Sequence, residues 1–242
     1  MRLFPISLSG RAPAQPAKRG GRRTVDANPY GIVRRVLVAA ITGALPDEHR
    51  AEAVQLLTQA LAAGDEDVRG LAVIGLTELG SHPEIALPAL TQALHDPAEL
   101  VRRRAARAIG DFGKEAAPAV PQLIAALRDP EPSVRVDVIG SLGRIGPEAR
   151  AAAPALIRLL GQEDTRIRTI VGAALRKMGP YAVPYLMKAL TEPDAVIRER
   201  AAVLLGRIGI YHDAVVQVLL EACSDSEPEI RAAAREAISR LE

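Results

Sequence analysis

The sequence predicts an all-α solenoid, and three observations predict it. A 13-residue pattern, "VRRRAARAIGDFG" at 101–113, recurs along the chain at a nearly fixed period. Within each copy the apolar residues fall at helical spacing. The 242 residues are 48% apolar but only 2% aromatic, with no Trp. Such a core is built from Ala, Leu, Val and Ile, which suits close helix–helix contact better than a sandwich or a barrel.

Taken in order, the first segment is a tail. Residues 1–28 carry Arg2, Arg11, Lys18, Arg19, Arg22 and Arg23 against one acid, Asp26. They are rich in Pro and Gly and lack periodicity, so they read as disordered. The net charge of +2 therefore comes from the tail, and acids slightly outnumber bases in the remainder. A basic arm of this kind can bind nucleic acid, anionic lipid or an acidic protein, or act as a solvated leader.

The next stretch, "RRVLVAAITGAL" at 34–45, has two readings. Two arginines before ten uncharged residues resemble the front of a secretory signal peptide. The basic leader would then exceed thirty residues, and Pro46 would stand where cleavage is expected. With Arg34 on the column of repeated arginines, Val33, Leu37, Ile41 and Ala44 fall on the apolar columns. The stretch is predicted as the first helix of the array, 30–45. No apolar run approaches the ~20 residues of a membrane-spanning helix.

The repeat itself starts from Arg69, Arg102, Arg135, Arg168, Arg198 and Arg231, spaced 33, 33, 33, 30 and 33. The residue before each is Val or Ile. The seventh after it is Leu76, Ile109, Leu142, Leu175, Leu205 or Ile238, and the tenth is Leu79, Phe112, Ile145, Met178, Ile208 or Leu241. Positions −1, +3, +7 and +10 share one helical face. Gly80, Gly113, Gly146, Gly179 and Gly209 then stand where a helix ends in positive φ. A second helix lies between the arginine helices. Its columns are Leu90, Leu123, Leu156, Leu186 and Leu219, with Leu94, Leu127, Leu160, Leu190 and Cys223 four residues on. Pro88, Pro121, Pro154 and Pro184 precede those leucines and fit a first helical turn. The turns into the arginine helices, such as "HDPAELVR" and "RDPEPSVR", offer Asp or Ser as caps. The three-residue deletion between Arg168 and Arg198 falls at "KMGPYAVP", as a shortened inter-helix turn. Each unit is thus a two-helix hairpin that buries its apolar stripe only by stacking on its neighbours. The predicted organisation is a tail, 1–28, and a solenoid, 29–242, with a leading helix and about six hairpins.

The pattern "L-P-x-L…A-L-x-D-P-x-x-x-V-R-x-x-A-A-x-A-L-G-x-x-G" resembles HEAT repeats, specifically the short variety known from phycobilisome lyases, over roughly 30–242. Ankyrin repeats share the period, but their T-P-L-H-x-A signature is missing, and tetratricopeptide repeats need aromatics this chain lacks. The resemblance implies a right-handed α-solenoid (an α-α superhelix) whose arginine helices line the concave side. It also implies a structural ladder in which each repeated Arg pairs with the Asp of its preceding turn: Asp96 with Arg102, Asp129 with Arg135, Asp225 with Arg231. Glu192 would substitute before Arg198. Gln162 breaks the column, leaving Arg168 to Asp164.

Chemistry finds little purchase. Deoxyhypusine hydroxylases of similar fold hold two irons through His-Glu dipeptides. Here His49, His82, His95 and His212 form none, so no metal or other cofactor is expected. Cys223, the single cysteine, lies in a column of leucines and reads as a small buried hydrophobe, not a thiolate nucleophile. The resemblance also raises a bilin lyase, or an accessory subunit of one, as an alternative, but the few aromatics give a tetrapyrrole little to stack on. Nucleic-acid binding through the tail is a third reading.

The exposed positions of the arginine helices are +1, +2, +5 and +9. Position +9 runs Gly43, Glu78, Asp111, Arg144, Lys177, Arg207, Arg240, acidic early and basic late, and Arg103, Arg104 and Arg107 add a local cluster. At the ~10 Å stacking of adjacent units these cations form a stripe suited to an acidic or phosphorylated segment. The alternative is a solvated charged face. The sequence therefore points to a cytoplasmic, monomeric, non-catalytic scaffold that holds a protein partner on the residues Arg103, Arg104, Arg107, Arg144, Lys177, Arg207 and Arg240.

Overall fold

A computed structural model describes residues 29–79 and 83–241, in two compact units that divide after Leu79. The tail 1–28, Gly80 and His82 lie outside the described residues.

In the first unit, α1 (Pro29–Ile41), α2 (Arg50–Ala60) and α3 (Glu66–Glu78) pack together. The stretch with two readings is a helix in α1, but a shorter one than expected. Val33 and Leu37 are buried, whereas Ile41 is 58% exposed and Ala44 is exposed. The chain leaves the helix at Gly43, where φ is +66°, and Leu45 enters the core instead. Three residues later Pro46 prevents the helix from resuming. In α3, Asp65 caps the helix by accepting from the Asp67 and Val68 N–H groups at 2.8 and 3.3 Å.

The second unit begins with α4 (Pro83–Ala93) and α5 (Glu99–Asp111). It continues with α6 (Val120–Ala126), α7 (Pro132–Ile145), α8 (Ala153–Leu159) and α9 (Thr165–Met178). It ends with α10 (Val183–Ala189), α11 (Ala195–Ile208), α12 (Asp213–Ala222) and α13 (Pro228–Leu241). The odd-numbered helices carry the repeated arginines and stack on one another, and the even-numbered helices form the other layer. The family of fold is an all-α solenoid of hairpins. Leu90, Leu123, Leu156, Leu186 and Leu219 are all fully buried between the layers, as are Val101, Val134, Ile167 and Ile230. The column four residues on is less uniform: Leu94, Leu127, Leu160 and Leu190 are buried, but Cys223 is half-buried at the C-terminal end of α12.

The inter-helix turns explain the proline column. Pro121, Pro154 and Pro184 open α6, α8 and α10, each after a 3-10 segment. Two of these segments, Gly113–Ala119 and Gly146–Ala152, have seven residues, and Gly179–Ala182 has four. The three-residue deletion is absorbed there. Pro88 differs from its column: α4 starts at Pro83, so Pro88 falls inside the helix.

Close packing of the arginine layer rests on glycine at position +8. A Cβ on Gly206 would stand 2.6 Å from Ala237 Cα, so only glycine admits α13 this near to α11. Gly143 and Ala174 repeat the contact between α7 and α9, at 3.1 Å.

The arginine ladder exists, but it is shifted by one repeat from the expected pairing. Arg102 donates through Nη1 to the carbonyls of Asp96 and Pro97 in its own turn, at 3.0 and 3.1 Å. Its Nε and Nη2 grip the carboxylate of Asp129, in the next turn, at 2.7 and 3.0 Å. Arg198 does the same, with Nη1 on the Glu192 and Pro193 carbonyls and Nε and Nη2 on Asp225 at 2.8 and 3.1 Å. Thus Asp96 is not the carboxylate partner of Arg102, Asp129 is not that of Arg135, and Asp225 is not that of Arg231. Arg135 and Arg231 take only the carbonyls of their own turns, Asp129 and Pro130 for one and Asp225 and Ser226 for the other. The cause is local. Each ladder Asp accepts from the N–H two residues on, Ala98, Glu131 or Glu227, which folds its carboxylate over its own turn. Asp164 does not pair with Arg168 either: it caps α9 by accepting from the Arg166 and Ile167 N–H groups, and Arg168 Nη1 donates to the Gln162 and Glu163 carbonyls.

Candidate binding surface

The predicted stripe divides in two when its side chains are placed. On α5 and α7 the cations are compensated. Asp137, on α7, is only 9% exposed and accepts from Arg103 Nε at 3.0 Å and from Arg107 Nε at 2.8 Å. Arg144 lies 3.4 Å from Asp111 and donates through Nη2 to the Arg107 carbonyl and to Ser141 Oγ, at 3.2 and 3.1 Å. The Ser141 hydroxyl is itself buried, within 2.7 Å of the Ala106 carbonyl. Gly110 makes this possible, since a Cβ there would meet Arg144 Nη2 at 2.6 Å. These three arginines are therefore rivets between α5 and α7 as much as they are surface charge.

On α9 and α11 the position is different. Lys177 and Arg207 are exposed, and among the described residues no hydrogen bond or ion pair engages either. Arg240, on α13, pairs with Glu236 of its own helix at 2.6 Å, an exposed contact worth little in water. Arg104 is half-buried and has no ion pair among the described residues. The stripe thus retains uncompensated positive charge at Lys177 and Arg207, on the two central helices of the C-terminal half.

Sequence reading missed Asp137. The signal was available: it is a lone acid at +2, one repeat on from Arg103 and Arg107, at separations of 34 and 30 residues.

The ladder carries its own electrostatics. At Asp225 the Arg198 hydrogen bonds, helped by the Glu227 N–H, hold the carboxyl down at about 2. Burial pushes the Asp129 carboxyl up, but the Arg102 hydrogen bonds, the Glu131 N–H and the nearby arginine charges outweigh it, and it lies below the ordinary range. Among the histidines, His212 caps α12 by accepting from the Ala214 N–H at 3.2 Å. His49 lies 3.9 Å from both Glu48 and Glu52. Among the described residues no group of three or more His, Cys, Asp or Glu side chains converges on a metal position. No described helix is long and apolar enough to cross a membrane.

HEAT repeats match the chain at residues 54–120, 87–176, 120–203 and 165–239. No curated protein matches it. Among solved structures, an engineered protein is 22% identical over 90% of this chain and 66% of its own, with a TM-score of 0.53. The archaeal HEAT-like repeats protein of Thermococcus onnurineus NA1 is 17% identical over 89% of this chain and 98% of its own, with a TM-score of 0.50. These two likenesses concern the fold alone. The complex of CpcE and CpcF of phycocyanin lyase from Nostoc sp. PCC7120 is 23% identical over 96% of this chain and 100% of its own, at a TM-score of 0.46, too loose to bear on activity.

Proposed function

The chain belongs to the HEAT-repeat family, and from that premise we propose that it is a non-catalytic scaffold that holds an acidic segment of a protein partner on the concave face of its arginine helices. The observation that supports this reading is the contrast along the stripe. Arg103, Arg107 and Arg144 have internal carboxylates, whereas Lys177 and Arg207 have none. Cations that already hold a carboxylate have little left for a partner, so the site contracts to Lys177 and Arg207, with Arg240 beside them. Close approach of α11 and α13 at Gly206 and Ala237 supports reading these helices as the inner layer.

The test is capture of the partner from native lysate by the full chain, at low and high salt. Reversing Lys177 and Arg207 together, as Lys177→Glu with Arg207→Glu, is expected to abolish the salt-sensitive fraction, because steering by exposed charge is screened over a Debye length of ~8 Å in physiological salt. A partner retained in full by that variant sinks the reading.

A further inference from the structure

The ladder is incomplete at two successive turns. Arg135 Nε and Arg168 Nε are both buried with no hydrogen-bond partner. Their counterparts, Arg102 and Arg198, spend the same edge on a bidentate carboxylate. The residues that occupy the ladder column opposite Arg135 and Arg168 are Gln162 and Glu192. Gln162 is an exposed amide whose side chain makes no hydrogen bond. Glu192 is one methylene longer than aspartate and forms no ion pair with Arg168, whose Nη2 turns to Thr165 Oγ1 at 3.0 Å. Arg135 is the more open of the two: its Nη1 holds two carbonyls, and neither Nε nor Nη2 is engaged.

We propose that the Arg135 turn is a receptor for a carboxylate from outside the chain, an Asp or Glu side chain of an acidic peptide, which completes the ladder that Asp129 and Asp225 complete from within. A guanidinium edge already fixed at Nη1 is preorganised for a planar bidentate anion, and its neighbours show which anion fits. Arg168 supplies a second, weaker seat one repeat on. Adjacent hairpins are ~10 Å apart, which matches an i, i+3 pair of acids on one side of a peptide in the polyproline-II conformation, with three residues per turn at ~3.1 Å each. This seat is independent of the one at Lys177 and Arg207. The two lie at opposite ends of the arginine helices, nine positions or ~14 Å apart, and either stands without the other.

The experiment measures binding of a fluorescein-labelled peptide, Gly-Asp-Gly-Ser-Asp-Gly, to the full chain by fluorescence polarisation. Saturable binding is expected, with at least a tenfold loss in Gln162→Asp, where the chain fills its own seat, and no loss in Gln162→Asn. Arg135→Lys keeps the charge but removes the fork and is expected to lose binding as well. Failure of the wild-type chain to bind, binding unchanged in Arg135→Lys, or binding of the phosphoserine counterpart alone would each overturn the proposal.

Discussion

The α11–α13 junction and the α7–α9 junction are built from the same columns, yet they are held differently. Both use a small residue at +8 against an alanine at +6, Gly206 with Ala237 in one and Gly143 with Ala174 in the other. Both place an arginine that ties its own turn through two carbonyls. Only the α11–α13 junction adds a carboxylate, Asp225, whose side chain is 13% exposed. In the α7–α9 junction Gln162 takes that column, and Arg135 keeps a buried, unengaged Nε. The comparison separates two jobs that a repeated residue can do. Bonding to the local turn fixes the hairpin, and bonding to the next turn fixes the stack. A repeat keeps the first job everywhere and can forgo the second.

The largest break in this comparison is Asp225→Ala. It converts the α11–α13 junction into the kind found at α7–α9, and it strands a mostly buried Arg198. A loss of about 3 kcal/mol is expected, as for removal of one partner of a buried pair. Hydrogen exchange of α11 and α13 reads it, and the expected pattern is faster exchange there with α5 and α7 unaffected. Equal exchange across the unit would mean that the carboxylate contributes nothing to the stack.

Acid gives a graded version of the same break. The Asp225 carboxyl is held at about 2 in the fold, against roughly 3.9 when unfolded. A depressed carboxyl contributes stability that is complete above the unfolded value and disappears as pH falls through the folded one. The contribution is therefore full above about pH 4 and gone below about 2. Across that window Asp225→Asn should show a flatter fall of Tm with pH than the wild type, and parallel curves would contradict the pairing. The smallest effect sharpens the contrast from the other side. Lys177→Glu with Arg207→Glu touches exposed, unpaired groups and should change stability by no more than ~0.5 kcal/mol in urea unfolding, whatever it does to partner capture.

Much of the fold was legible because the apolar columns recur. Ile167, Leu175 and Met178 are buried where their spacing put them, and the deletion at "KMGPYAVP" appears as a four-residue 3-10 turn. Departures occur where a local residue overrides the column. Gly43 ends α1 early, and α4, which starts at Pro83, holds Pro88 inside it. The direction of the ladder was not legible at all. In a 33-residue period, the aspartate six residues before one arginine is also 27 after the previous arginine. Column arithmetic cannot distinguish these partners. Only the folding of each Asp over its own turn decides between them. The basic stripe had the same weakness. Its members were visible by charge, but the depth at which Asp137 neutralises two of them depends on how α7 seats against α5.

The forward ladder also gives the second unit a polarity under load. Each closed arginine fork waits on a carboxylate that arrives one hairpin later, so a hairpin is complete only with its successor in place. Peel α13 away together with its turn, and Arg198 is left as a stranded cation. Peel α5 away instead, and Asp129 still has the Glu131 N–H and gains water. A pull applied from the α5 side must also break the rivets of Arg103, Arg107 and Arg144, so the two ends present different first steps. The stack is a zipper whose two ends do not open alike.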